Sequence, residues 1–127
     1  MDPFDRYFTE GEANALLREL LRDIEDLMAT RNRIVEIRPE LESGLQKALG
    51  NGGSQATGEL LSLMRRVKRS VERIQGTGVL VKDLDRGLLD FPAERDGRII
   101  FLCWQYGEPT VAYWHDIDAG FAGRQPL

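Results

Sequence analysis

The sequence predicts an α+β fold, a long antiparallel helical hairpin followed by a small three- to four-stranded antiparallel β-meander. Three observations carry this. Composition shifts near Gly76, from Leu, Glu and Arg with few aromatics to Val, Ile, Phe, Tyr and Trp set between Gly, Pro and Asp. Apolar residues in the first part recur at steps of three and four. The second part holds short apolar runs separated by turn residues. Residues 1–76 therefore read as the hairpin, and residues 77–127 as the meander and a C-terminal tail. Together they form a single domain, 1–127.

The first helix starts at a capping box, with Thr9 three residues before Glu12 and Phe8 placed to pack onto the first turn. Ala13, Leu17, Leu20, Ile24, Leu27, Ile34, Leu41 and Leu45 then form one stripe, widened by Leu16, Leu21 and Met28. Arg31 and Arg38 fall on the seam, where their stems can pack while their heads reach water. Pro39 lacks an N–H, so the helix is expected to kink there or to stop at Arg38. Gly50, Asn51, Gly52 and Gly53 are expected to end the helical run. A second helix carries Leu60, Met64, Val67, Val71 and Ile74 and closes at Gly76 and Gly78. A short linker between two long helices favours an antiparallel pair.

The stranded part reads as "GVLVK", "GLLDF" cut off by Pro92, "RIIFLCW" and "TVAYW". The third run is apolar on both faces, as a doubly covered central strand would be. Asp96-Gly97 is a hairpin turn signal, and Gly107-Glu108-Pro109 separates the last two runs. So small a sheet needs the helices to lie on. The helices in turn present more apolar surface than one sheet covers. A homodimer through the helices is expected, in a coiled-coil-like four-helix bundle.

Seventeen basic and 21 acidic residues give a net charge of -4, which removes any bulk electrostatic case for nucleic acid. The stretch "LMRRVKRSVERIQ" is basic through Arg65, Arg66, Lys68, Arg69 and Arg73, but the first 26 residues are strongly acidic. An antiparallel hairpin sets those two segments side by side, which favours a paired, solvated face over a nucleic-acid surface. No apolar run is long enough for a membrane helix, and no secretory leader opens the chain. The lone cysteine, Cys103, cannot form an internal disulfide. A cytoplasmic location is expected.

Two segments echo each other, "VKDLDRG" and "WHDIDAG", both reading Asp, aliphatic, Asp, any residue, Gly. In extended backbone the two aspartates of each point to one side. If the segments met, Asp83, Asp85, Asp116 and Asp118 would offer oxygens to a divalent metal, and His115, the only histidine, could join them. The competing reading is that Asp and Gly simply build turns, with Gly87 and Gly120 supplying positive φ. No closing glutamate of an EF-hand follows. His115 with one cysteine and no second histidine cannot make a typical structural zinc site, and a buried, hydrogen-bonded histidine competes with a catalytic one. Cys103 lies mid-strand, as an inert buried thiol would. Trp104 and Trp114 are core residues or, if exposed, a binding face. Arg124, in the tail "GFAGRQPL", and Glu108 are the candidates for holding an anion or tying the tail down.

The strings "KDLDRGLLDFP", "LCWQYGEP" and "WHDIDAGFAGRQPL", with "FTEGEANALLREL" near the start, closely resemble a bacterial family known only as domain of unknown function 2203. The resemblance covers nearly the whole chain. One departure is Arg18, where the family opening tends to carry a proline. The resemblance implies helices followed by a small sheet, and it implies no activity. The sequence thus leads to a non-enzymatic, dimeric interaction or scaffold protein, with an unidentified protein partner meeting a recognition surface on the β part. The alternative is a small metal- or anion-binding domain, conceivably hydrolytic, built on the two Asp-rich segments and His115.

Overall fold

The computed structural model describes residues 3–51 and 55–127, with side chains described outside 40–51 and 56. Helix α1 spans Glu10–Asn51 and helix α2 spans Gln55–Gln75. An open five-stranded sheet follows, β1 (Leu80–Asp83), β2 (Leu88–Arg95), β3 (Arg98–Gln105), β4 (Tyr113–Asp116) and β5 (Gln125–Pro126), in the spatial order of the chain. All neighbours are antiparallel. The expected α+β class and meander are therefore present, with the tail adding a fifth strand against β4.

The capping box forms as expected. The Thr9 N–H donates to Glu12 Oε1 at 3.0 Å and the Glu12 N–H donates to Thr9 Oγ1 at 3.1 Å. These backbone and side-chain bonds from Thr9 hold the Glu12 carboxyl below its ordinary range. Phe8 packs edge-on against Phe91 at 5.4 Å, and its N–H donates to the Pro92 carbonyl, so the helix start is tied to the sheet.

Of the two outcomes expected at Pro39, the stop at Arg38 does not occur, because α1 runs through to Asn51. The proline removes the donor that would serve the Val35 carbonyl. Val35 is exposed, so water can take that place. Gly50 and Asn51 are still helical. Gly52 and Gly53 and the side chains of Leu41 and Leu45 lie outside the described residues. The apolar stripe holds from Ala13 to Leu27 and shifts beyond it. Ile37 is fully buried while Arg38 is exposed. On α2, Leu63, Val67, Ser70 and Ile74 face inward, whereas Met64 is exposed. Ion pairs Asp26–Arg66 (2.7 Å), Asp23–Arg73 (3.2 Å) and Arg33–Glu59 (2.7 Å) join the two helices in antiparallel register and pair two of the five basic residues of the stretch.

One face of the sheet meets α1. Leu89, Phe91, Ala93, Ile100, Leu102, Trp104 and Trp114 pack with Ala13, Leu17, Leu20, Ile24 and Leu27 in one core. Asn14 clasps the loop before β4, accepting from the Val111 N–H (2.8 Å) and donating to its carbonyl (3.2 Å). Strand β2 does not stop at Pro92, as its position in the sequence suggested. The Pro92 carbonyl points to Phe8, so its nitrogen faces away from β3 and no bond of the β2–β3 ladder is lost. Strand β4 begins at Tyr113, later than "TVAYW" implied, and takes in His115 and Asp116.

Truncating Ile24 to Ala should cost about 2–5 kcal/mol, because the site is closed on every side. Thr9→Ala should cost about 1 kcal/mol through loss of the cap. Urea unfolding at constant m checks both, and an Ile24→Ala cost below that of Thr9→Ala would contradict this packing.

Candidate functional site

The second face of the sheet is built by alternation. Asp90 of β2 stands opposite Cys103 of β3, and Phe101 of β3 stands opposite His115 of β4. These side chains share the face turned from the helices. That face is buried nonetheless. Phe4 meets Phe101 edge-on at 5.4 Å, and Ile117, Gly120 and Phe121 close over it from the tail. Asp90, Cys103 and His115 are 4%, 1% and 3% exposed, which makes them a polar group cut off from solvent.

They satisfy one another. His115 Nδ1 lies 2.8 Å from the Asp116 carbonyl. A carbonyl only accepts, so Nδ1 carries the proton. Nε2 is then left to Asp90, with Oδ1 at 3.1 Å and Oδ2 at 3.2 Å. One proton must lie between Nε2 and the carboxylate for that contact to hold. Burial pushes the Asp90 carboxyl up, against the opposing pull of His115 and Lys82. Burial, with the charge of Asp90 beside it, pushes the Cys103 thiol up to about 12.

Among the described residues, these three are the only group of His, Cys, Asp or Glu close enough to share a metal ion. One donor atom from each lies within 4.8 Å of the other two. Tetrahedral zinc, with bonds of about 2.0–2.3 Å, sets its donors about 3.3–3.7 Å apart, so only small side-chain shifts separate the arrangement from a coordination shell. The Nδ1–carbonyl bond is the outer contact that orients a metal-binding imidazole through Nε2. A cavity of about 130 Å³ opens beside the cluster, walled by Leu88, Phe101, Ile117 and Phe121 and with Lys82 on its lining.

The two Asp-rich segments are not brought together. Asp83 ends β1 and Asp116 ends β4, and the alternating strand directions place these two residues at opposite ends of the sheet. They are also three strands apart, about 14 Å. Three of the four aspartates have local partners. Asp83 accepts from the Arg86 N–H at 3.1 Å, Asp85 pairs with Arg31 at 3.1 Å, and Asp116 pairs with Arg98 at 3.0 Å. Asp118 is an exposed turn residue. Gly87 and Gly120 hold φ of 66° and 64°, as the turn reading requires.

The other candidates make contacts within the fold. Arg124 grips Glu108 at 2.8 and 3.1 Å and stacks on Tyr113, 4.0 Å from the ring centre, which ties the tail down. Trp104 and Trp114 belong to the core, so the sheet presents neither as an aromatic binding face. Among the expected site residues, His115 alone joins the buried cluster. Asp90 stands outside the set that the sequence singles out, and Cys103 reads there only as packing. The available signal was an acid set between Leu89 and Phe91 in an apolar strand, which must be buried and must find a partner.

A helical hairpin backed by an open antiparallel sheet, with a self-satisfied Asp–Cys–His group on the sheet's outer side, defines an α+β domain with one buried polar centre. Residues 6–127 match the family model described as "Uncharacterized conserved protein (DUF2203)", and the chain belongs to that family. No curated protein and no solved structure matches it.

Two outcomes follow from this geometry. A thiol moved from 9.0 to about 12 holds roughly a thousandfold less thiolate at a given pH, so native Cys103 should alkylate on that order more slowly than the denatured chain. Rapid labelling of native protein by iodoacetamide would contradict the burial. Asp90 binds its proton more tightly when folded. Stability should therefore fall as pH rises from the ordinary carboxylate range through the raised value, and then level off. Asp90→Asn keeps a donor for Nε2 and should flatten that slope in a pH series of urea melts.

Proposed function

We propose that this protein is a small metal-binding domain that holds one divalent transition-metal ion between Asp90, Cys103 and His115. The observation that carries this is the convergence of one oxygen, one sulfur and one nitrogen donor within 4.8 Å, all buried, beside a cavity. The mixed donor set suits Zn²⁺ or Co²⁺ better than Mg²⁺ or Ca²⁺, which prefer all-oxygen shells. The role is one of binding. Both ring nitrogens of His115 are engaged and the Cys103 thiol is held protonated, so the cluster by itself offers neither a free base nor a nucleophile.

Binding must release the thiol proton, so affinity should rise with pH. At Zn²⁺ a hundredfold above Kd, the gain of about 2.7 kcal/mol should raise Tm by on the order of 10 °C. Cys103→Ser, close in size but without the soft donor, should lose most of that shift, and Asp118→Ala should keep it. An unchanged Tm with Zn²⁺, Co²⁺ and Mn²⁺ alike, together with no ion retained after gel filtration, would refute the reading.

A second reading concerns the helices. Leu21, Val35, Leu61 and Met64 remain 41–54% exposed on the hairpin. They support a homodimer through the helices, although the chain's own sheet already covers most of the stripe. Light scattering should return twice the 14.4 kDa chain mass, and Leu61→Lys with Met64→Lys should halve it. A monomer in the unsubstituted protein would end this reading and leave the metal site untouched.

A further inference from the structure

We infer that the ion held by Asp90, Cys103 and His115 receives a small monoanion, a short carboxylate or similar oxyanion, as its exchangeable fourth ligand, and that Lys82 steers it there. This rests on the metal reading above. Three protein donors leave one position of a tetrahedral shell open. The cavity adjoins the three donors and is otherwise bounded mainly by apolar side chains.

Charge selects the ligand's sign. A divalent ion with one carboxylate and one thiolate is neutral, and imidazole adds nothing. Lys82, solvent-exposed at the rim of the cavity, then leaves one positive charge in excess beside it. Its ammonium stands 4.6 Å from the centre of the Phe101 ring, and it makes no ion pair among the described residues. Its charge acts on Asp90, whose own charge the metal would occupy. A single negative charge on an incoming ligand balances the site.

Size selects the rest. About 130 Å³ admits an ion with a ligand of a few heavy atoms, such as formate, acetate or bicarbonate. That volume is well below the roughly 300–1,000 Å³ of pockets that take drug-sized ligands, which argues against a sugar phosphate or a nucleotide. The apolar surfaces of Phe121 and Ile117 suit a short alkyl group better than a second charge.

The test uses the full chain loaded with Co²⁺, whose visible bands report changes in coordination. Acetate and azide are titrated at fixed ionic strength, with perchlorate as the non-coordinating control. A saturable band shift with acetate or azide and none with perchlorate is expected. Lys82→Ala removes no metal donor and should weaken acetate binding about tenfold. Lys82→Arg, which keeps the charge, should restore most of it. If Co²⁺ binds but neither anion changes its spectrum, the fourth ligand is water, and the anion proposal falls while the metal reading stands. Equal acetate affinity in Lys82→Ala overturns the steering role. If Co²⁺ is not taken up at all, the metal reading fails and this proposal fails with it.

Discussion

Strand β3 is buried on both faces, and the rest of the chain is arranged around that constraint. Ile100, Leu102 and Trp104 point to the helices, while Phe101 and Cys103 point the other way. Both sets must leave water, because each large side chain contributes about 1.5–3 kcal/mol when buried. The hairpin covers one face. A five-stranded sheet with a single helical layer would leave the other bare. The chain covers it with its own ends, Phe4 from the N-terminal segment and the Ile117–Phe121 turn from the tail. The Arg124–Glu108 clamp and the short strand β5 then have a clear purpose, which is to hold that cover in place.

Covering the second face also creates the site. Asp90 and His115 would sit in water on an ordinary one-sided sheet. Closed over, they can stay only by sharing a proton, since an unpaired buried charge costs several kcal/mol. The buried polar group therefore follows from the same burial that stabilises β3. Its donors are convergent, oriented from outside by the Asp116 carbonyl, and adjacent to open volume. Those properties distinguish it from the four aspartates of the repeated segments, which lie apart, three of them held by separate arginine contacts and Asp118 exposed.

Much of this was legible in the residues, and the failures have physical causes. The capping box, the helix pair and the central strand followed from local spacing. The two prolines misled for a common reason. A missing N–H need not end an element where water or an open edge can take its place. Pro39 costs a bond at exposed Val35, and the Pro92 nitrogen faces away from β3, so both elements continue. The repeated Asp-rich segments are conspicuous as text, yet strand direction sends them to opposite ends of the sheet. The cluster itself was within reach of arithmetic. A two-residue Asp96-Gly97 turn pairs Arg95 with Arg98, and counting back from it pairs Asp90 with Cys103. What no local pattern could supply was the placement of His115, which depends on the seven-residue loop before β4 and on its register with β3.

The account stands or falls on whether that convergence is a coordination site. Crystals grown with Zn²⁺ and measured on either side of the zinc absorption edge decide it. The account predicts one anomalous peak per chain, about 2.0–2.3 Å from Asp90 Oδ, Cys103 Sγ and His115 Nε2, with density for a further ligand toward Lys82. Anomalous peaks only at surface carboxylates such as Asp116 and Asp118, with the Asp90–His115 hydrogen bond intact, would contradict it.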